Sequence, residues 1–483
     1  MTRRARSHRA RRPAAGRTAL GLAAVLALLA PASARAADDG AVERLAAAVR
    51  IPTISPQSPE DFDGAPFLAF HDFLARAYPC AHGTLERETV ADYSLLYTWR
   101  GADASLEPVL LTAHIDVVPV IEESLGRWTH PPFDGVVADG YVWGRGTLDD
   151  KAGLLAVLEG VESLCAAGFA PARTVYLAFG HDEELGGNAG AAGITDLLAS
   201  RGVALWFSLD EGMAILDGAA GIEQPMALVG VAEKGFLTLE MTARARGGHS
   251  SLPPRESAIG ALARAIERIE SNPLPAHTGG LSGRVLDTYG EAMSGATGFA
   301  LRHRWLFGPF VRSGLDARPE SSAMIRTTTA VTVVRGGVKS NVLPSSATAL
   351  VNFRIHPEDT VESVVEHARR AIDDPEIELR VVEGREASAV SPSEGPAWDA
   401  LVATVRETHG DLPVGPALVL GGTDSKHYGR IASAAYRFAP LRMRSEDTSR
   451  LHGIDERIAV DAYLEMPPFY AALVRRAAGA EAR

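Results

Sequence analysis

The chain has 483 residues, of which 46% are hydrophobic and 22% charged, with a formal net charge of −12. That length is too great for one ordinary domain and the composition is globular, so two domains are expected. Residues 1–37 hold eight arginines and no acid, so setting them aside leaves −20, a balance that excludes nucleic acid as a favoured partner.

Those first 37 residues run from a basic start through a short apolar stretch at 20–30 to small residues around Ala34 and Ala36. This is the layout of a secretory signal peptide, which implies a secreted or periplasmic protein. Retention as a membrane anchor is the alternative, disfavoured because so short a run spans a bilayer poorly. Arg11-Arg12 does not decide the export route. Cys80 and Cys165 are the only cysteines. Cys165 lies in an apolar helical stretch where a buried thiol is expected, so neither a disulfide framework nor a cysteine metal site is read.

In chain order, helices are expected over 41–49 and 66–78, the second with Phe67, Phe70, Phe73 and Leu74 on one face. Strands follow at 95–99 and 109–113, then a long loop containing Trp128 and His130, then Trp143-Gly-Arg-Gly-Thr-Leu-Asp149-Asp150-Lys151. Leu154, Leu155, Val157, Leu158, Val161 and Leu164 repeat at helical spacing after it, and apolar strands are expected at 174–179 and 203–207. Strands alternating with helices predict an α/β fold with a parallel sheet and crossover helices. From Lys234 the pattern changes: an alternating strand at 236–243, a turn at Gly247-Gly248-His249-Ser250-Ser251, a helix at 256–269, strands at 330–334 and 347–355, a helix at 360–372 and a strand at 378–382. That β-α-β-β-α-β order is ferredoxin-like. It is expected as an inserted α+β domain, 234–383, between two parts of the first, 38–233 and 384–483. A helix from Trp398, a strand at 417–420 and a closing helix from Ile458 complete the chain. Within the insertion, Trp305, Leu306, Phe307 and Phe310 form an aromatic stretch, expected to pack the inserted domain or a dimer interface, with an acyl groove as the alternative.

The chemistry sits just past the predicted strands, in His114-Ile-Asp116, Gly180-His-Asp-Glu183-Glu184 and Leu209-Asp210-Glu211-Gly212. In open α/β sheets the crevice outside the carboxyl ends of the strands is where sites are built. Taken singly, these residues have ordinary uses: a strand-end histidine, an exposed acidic turn, and for Asp149-Asp150 a helix N-cap. Gathered together, imidazole and carboxylate groups without cysteine suit a catalytic zinc or cobalt site. Adjacent Glu183 and Glu184 point in different directions, so one can bind metal while the other acts as general base. Two metals about 3.5–4 Å apart need a bridging carboxylate, and Asp149 is the best placed.

With His114-x-Asp116, Trp143-Gly-Arg-Gly-x-x-Asp149-Asp-Lys, His181-Asp-Glu183-Glu184, Asp210-Glu211-Gly, Gly248-His249-Ser, Lys339-Ser-Asn341-Val-Leu-Pro, Asn352-Phe-Arg354-Ile-His-Pro, Gly422-Thr-Asp424-Ser and Leu451-His452-Gly-Ile-Asp-Glu456 in order, the chain resembles the M20 metallopeptidases. Within them it is similar to the carboxypeptidase S, N-acyl-amino-acid hydrolase and aminoacylase-1 group. The resemblance implies a zinc-peptidase sheet domain with a ferredoxin-like lid that also serves dimerisation. It implies that His114, Asp149, Glu184, Glu211 and His452 hold two zinc ions, for which cobalt or manganese can substitute, with Asp210 as the alternative to Glu211. Asp116 would orient His114, Glu183 would be the base, and His249 would donate to the oxyanion, across a dimer interface in one version. Asn341, Arg354, Gly422 and Thr423 would hold the substrate carboxylate, a task that suits arginine. The implied function is a secreted di-zinc amidohydrolase or carboxypeptidase acting on an N-acyl amino acid or short peptide with a free carboxylate. A Gly-X dipeptidase and a non-catalytic metal-dependent binding protein are the alternatives, and intact Glu183 speaks against the second.

Overall fold

The computed structural model describes residues 32–218, 222, 224–444 and 446–480. The leader expected at 1–37 lies outside them up to residue 31. From there a helix, Ala32–Val49, begins within the expected leader and ends where predicted, just before Ile51-Pro52. Among the described residues no helix is long and apolar enough to cross a membrane.

A ten-stranded sheet carries the site. Its centre is parallel: Val109–His114 lies between Val175–Gly180 and Phe207–Asp210, and Ala435–Arg437 continues beside the latter. The sheet as a whole is mixed, which corrects the expectation of a parallel one. Ser94–Trp99 runs antiparallel to Val175–Gly180, and Met226–Glu233 antiparallel to Ala435–Arg437. The reason at the first edge is loop length, because the stretch 100–108 holds no helix and a parallel return needs a crossover of a dozen residues or more. Two further expectations shift. The strand predicted at 203–207 is Phe207–Asp210, so polar Ser208 and Asp210 are buried strand residues. Met226–Glu233, buried at every position, was not predicted at all.

The chain leaves this sheet after Glu233 and returns at Ser388, whose N–H donates to the Glu233 carbonyl at 3.1 Å. Between them an antiparallel sheet runs in the order Thr328–Gly336, Ser346–Ile355, Gly235–Arg244, Ile377–Arg385, the ferredoxin-like arrangement expected. Helices Ala258–Ser271 and Val361–Ile372 cover one face, over Leu237, Leu239, Met241, Val351 and Phe353. Both helices begin at side-chain caps, Ser257 accepting from Gly260 N–H and Thr360 from Ser363 N–H at 3.1 Å each. The additional helices behave differently. Gly280–Ala292 packs on Val414–Val419, and its Leu281 and Val285 enter the core of the large sheet. Trp305 and Phe310 are 83% and 78% exposed on the helix Arg304–Asp316, and none of Trp305, Leu306, Phe307 and Phe310 lines the cleft described below.

The cysteines also correct the sequence reading: Cys80 and Cys165 form a disulfide, with Cα atoms 6.0 Å apart and 85 residues of separation. Helical periodicity places Cys165 but says nothing of the helix Pro79–Thr84 packed beside it. Glu162 fixes that contact by accepting from Cys80 N–H at 3.0 Å and Ala81 N–H at 2.8 Å. Replacing both cysteines with serine is expected to lower stability by about 2–5 kcal/mol, the usual effect of removing a native cross-link. Urea unfolding of the oxidised protein and of the variant checks it, and coincident midpoints would show that the bond contributes nothing.

Candidate active site

Three parallel strands end at one place, and the side chains that follow them face each other. His114 Nε2 lies 2.8 Å from Asp149 Oδ1, and His452 Nε2 lies 3.1 Å from Asp149 Oδ2 and 3.2 Å from Glu184 Oε1. Ligand atoms of His114, Asp149 and Glu184 all lie within 4.8 Å of one another. Glu183 and Glu211 line the same cleft as Asp149, Glu184 and His452. Asp210 does not line it; its Oδ1 accepts from Glu211 N–H at 3.0 Å and its side chain is buried. Glu211 is therefore the one of that pair presented to the cleft.

Asp116 meets His114 chiefly through its main chain. His114 Nδ1 is 2.9 Å from the Asp116 backbone carbonyl, while the Asp116 carboxylate is 3.5 Å away at its nearest. That carboxylate instead accepts from Glu183 N–H at 3.1 Å, Glu184 N–H at 3.2 Å and Ser55 Oγ at 2.7 Å. One buried acid thus sets both the imidazole, through its main chain, and the paired glutamates, through its side chain.

The turn bearing Asp149 is tied to the loop bearing His452 by residues that carried no role in the sequence. The Glu456 carboxylate accepts from Gly146 and Leu148 N–H at 2.9 Å each and pairs with the Arg145 guanidinium, which also donates to the His452 carbonyl at 3.1 Å. His452 itself sits in the left-handed region, with φ +57°. On the other side, buried Lys151 donates to the Ala48 and Ile51 carbonyls at 3.0 and 2.5 Å, anchoring the same turn to the first helix. Asp424 lies buried under the cleft, and a Cβ at Gly187, where φ is +67°, would stand 1.9 Å from its Oδ1. Glycine there is required by both contact and conformation.

The site is overloaded with negative charge. Burial and then the neighbouring Asp149, Glu184 and Asp116 carboxylates push Glu183 up to about 8, although His114 opposes them. Burial and the same crowding hold Glu211, Asp150 and Asp424 well above the usual carboxylate range. Hydrogen bonds to Asp149 and Glu184 push His452 up to about 10. Carboxylate oxygens of Asp150, Asp210 and Asp424 are buried without a hydrogen-bond partner among the described residues. Acids assembled at this density, beside two imidazoles, are what a cation site needs, and the N/O donor set suits zinc.

The cleft has a volume of about 1240 Å³ and two unlike walls. Met213, Leu216, Leu228 and Tyr289 pack together as its apolar lining, with Met324 also on the cleft, while Arg354, Arg385 and Lys426 bring positive charge. Gly422 and Thr423 lie along the cleft, and Thr423 Oγ1 donates to Glu233 Oε1 at 2.7 Å. Two expected residues stand apart. His249 and Asn341 are exposed at the short ribbon formed by Gly248–His249 and Val342–Leu343, His249 Nδ1 lies 2.7 Å from Ser251 Oγ, and neither lines the cleft.

Residues 110–476 match peptidase family M20/M25/M40. The chain is 40% identical over 439 residues to a probable carboxypeptidase S-like 2 of Dictyostelium discoideum, covering 90% of this chain and 84% of that one. It is also 40% identical over 442 residues to the N-fatty-acyl-amino acid synthase/hydrolase PM20D1 of Xenopus tropicalis, covering 90% and 85%. Among solved structures, an M20 family metallo-carboxypeptidase from Sulfolobus solfataricus shares the fold, with a TM-score of 0.62 at 15% identity over 90% of this chain and 98% of that one.

Proposed function

The chain belongs to the M20/M25/M40 peptidase family, and on that premise we propose that it is an exported amidohydrolase that splits an N-acyl amino acid, using two zinc ions. The observation that carries this is the pair of unlike walls meeting at the acid cluster, one apolar enough for an acyl chain and one positive enough for a free carboxylate. The relatives named for N-fatty-acyl amino acids and for carboxypeptidase S support the same pair of substrate groups. The Cys80–Cys165 bond supports export, because such bonds persist in oxidising compartments.

In this reading His114, Asp149, Glu184, Glu211 and His452 would hold the metals, and Asp149, with one oxygen toward each imidazole, would be the ligand they share. Bound zinc supplies carbonyl polarisation and an acidic water near neutral pH. Glu183 accepts the proton of the attacking water and returns it to the amide nitrogen as that nitrogen leaves as an amine. Arg354 holds the substrate carboxylate by paired hydrogen bonds, and Gly422 leaves that wall open. The segment 234–383 acts as a lid over a catalytic unit formed by 38–233 and 384–483. His249 and Asn341 reach the substrate when the lid closes or when a second copy supplies them.

The test is kcat/KM against N-acyl amino acids from acetyl to long-chain acyl groups, with Gly-X dipeptides alongside. Each methylene buried on the apolar wall contributes about 0.8 kcal/mol, close to fourfold per carbon, so specificity is expected to climb with chain length. Tyr289→Ala is expected to flatten the climb for the longer chains, because Tyr289 comes from the helix that roofs this wall. A profile that falls with length, with dipeptides preferred, would replace this reading with a dipeptidase.

A further inference from the structure

On the open face of the four-stranded sheet, Arg354 and Arg385 both stand opposite Phe236, one on each neighbouring strand. Directly opposed residues share a face, and all three line the cleft. The Arg354 guanidinium lies 5.1 Å over the Phe236 ring. Strand spacing of about 4.8 Å separates the two arginine backbones by about 10 Å, within reach of one small ligand for side chains of that length. Neither guanidinium has a carboxylate within ion-pair distance among the described residues, and Glu383, on the same strand as Arg385, lines the cleft without pairing to it. Opposite them is Gly422, where an added Cβ would stand 3.3 Å from Arg385 Nη2, so the absence of a side chain there gives Arg385 its room.

One arginine is enough for one carboxylate. Two unpaired guanidiniums held together repel, and burial and Arg385 both lower the pKa of Arg354. A ligand with two negative groups relieves that repulsion, whereas a single carboxylate leaves one guanidinium unanswered. We propose that Arg385 receives a second carboxylate, so the amino acid favoured in this cleft is acidic. Arg354 takes the α-carboxylate of an N-acyl glutamate or aspartate, and Arg385 takes its side-chain carboxylate. This rests on the amidohydrolase reading for the α-carboxylate and deepens it by naming the amino-acid class.

The test compares N-dodecanoyl glutamate with N-dodecanoyl glutamine, which differ by one charge at nearly constant shape. Calorimetric Kd values are measured on zinc-loaded protein carrying Glu183→Gln as its background, which binds with little turnover, beside kcat/KM of the protein with Glu183 intact. Wild type is expected to bind the glutamate compound about 10- to 100-fold more tightly, the worth of one paired charge-assisted contact. Arg385→Met is expected to bring the ratio to about one, and Arg385→Lys to keep part of it. A wild-type ratio at or below one, or a ratio that survives Arg385→Met, overturns the proposal. Because Kd is read without turnover, hydrolysis of neither compound would count against the amidohydrolase reading while the binding ratio still decides the role of Arg385.

Discussion

Glu183→Gln is expected to keep its metal and its affinity for an N-acyl amino acid while kcat falls by at least 100-fold, the scale of losing a general base. The geometry separates the paired glutamates by task. Asp116 fixes both backbone N–H groups, at 3.1 Å and 3.2 Å, and Gly186 turns the chain at φ +100° directly after the short helical turn Glu183–Leu185. Glu184 then stands against His452 and within the cluster formed with His114 and Asp149, while Glu183 faces the cleft. Without a cation, burial and neighbouring acids raise the Glu183 pKa; bound metal cations would reverse the sign of the local field and favour the carboxylate, the form a base needs. Glutamine keeps the shape and cannot take the proton. Glu184→Gln is expected to lose metal instead, so metal analysis beside turnover distinguishes the two. Near-normal kcat in Glu183→Gln would move the base elsewhere.

What could be read from sequence followed from how local each signal is. His114, Asp116, Glu183 and Glu184 stood out because each follows an apolar run, and the fold does place them at the ends of adjacent parallel strands. Asp149 was singled out as the carboxylate on which those turns can converge, although its place before a helical repeat also suits a helix N-cap. His452, 303 residues from the carboxylate it faces, came only through family resemblance, since nothing in its own neighbourhood marks it. Arg145, Glu456 and Lys151 received no role for a physical reason. Hydrophobic patterning assigns charged residues to the surface, and whether a charge is buried depends on a partner that the local sequence does not contain. Met226–Glu233 escaped in a similar way: Gly230 weakens its strand pattern, yet a Cβ there would come within 2.6 Å of Val419, so the neighbouring strand demands the glycine. Strand geometry at 203–207 failed at its functional end, where Ser208 and Asp210 interrupt the apolar run that defines a buried strand.

Glu456→Ala is expected to cost about 3–5 kcal/mol of stability and to empty the metal site, although Glu456 touches no ligand side chain. Glu456 and Arg145 are 0% and 4% exposed, and removing one partner of such a pair leaves the other charged, buried and unanswered. The Gly146 and Leu148 N–H groups lose their acceptor as well. The double replacement Arg145→Met with Glu456→Leu separates the two roles of the pair. Apolar residues of similar size remove the buried charges together, so much of the stability should return. Metal should not return with it. Asp149 and His452 come from loops joined, among the described residues, by this pair, the Arg145 donations to the His452 and Gly453 carbonyls at 3.1 and 3.3 Å, the Gly144 N–H donation to the Glu456 carbonyl at 2.9 Å, and the short pairing of Arg457–Ala459 with Tyr141–Trp143. Without the carboxylate's grip on the turn before Asp149, and without the guanidinium's grip on His452, main-chain pairing is left to hold two side chains 3.1 Å apart, and a site loosened by an ångström loses its ion. Urea unfolding and zinc content of the three proteins check this. A double variant that regained stability and kept full zinc would show the pair to be structural filling rather than the brace that joins the two halves of the site.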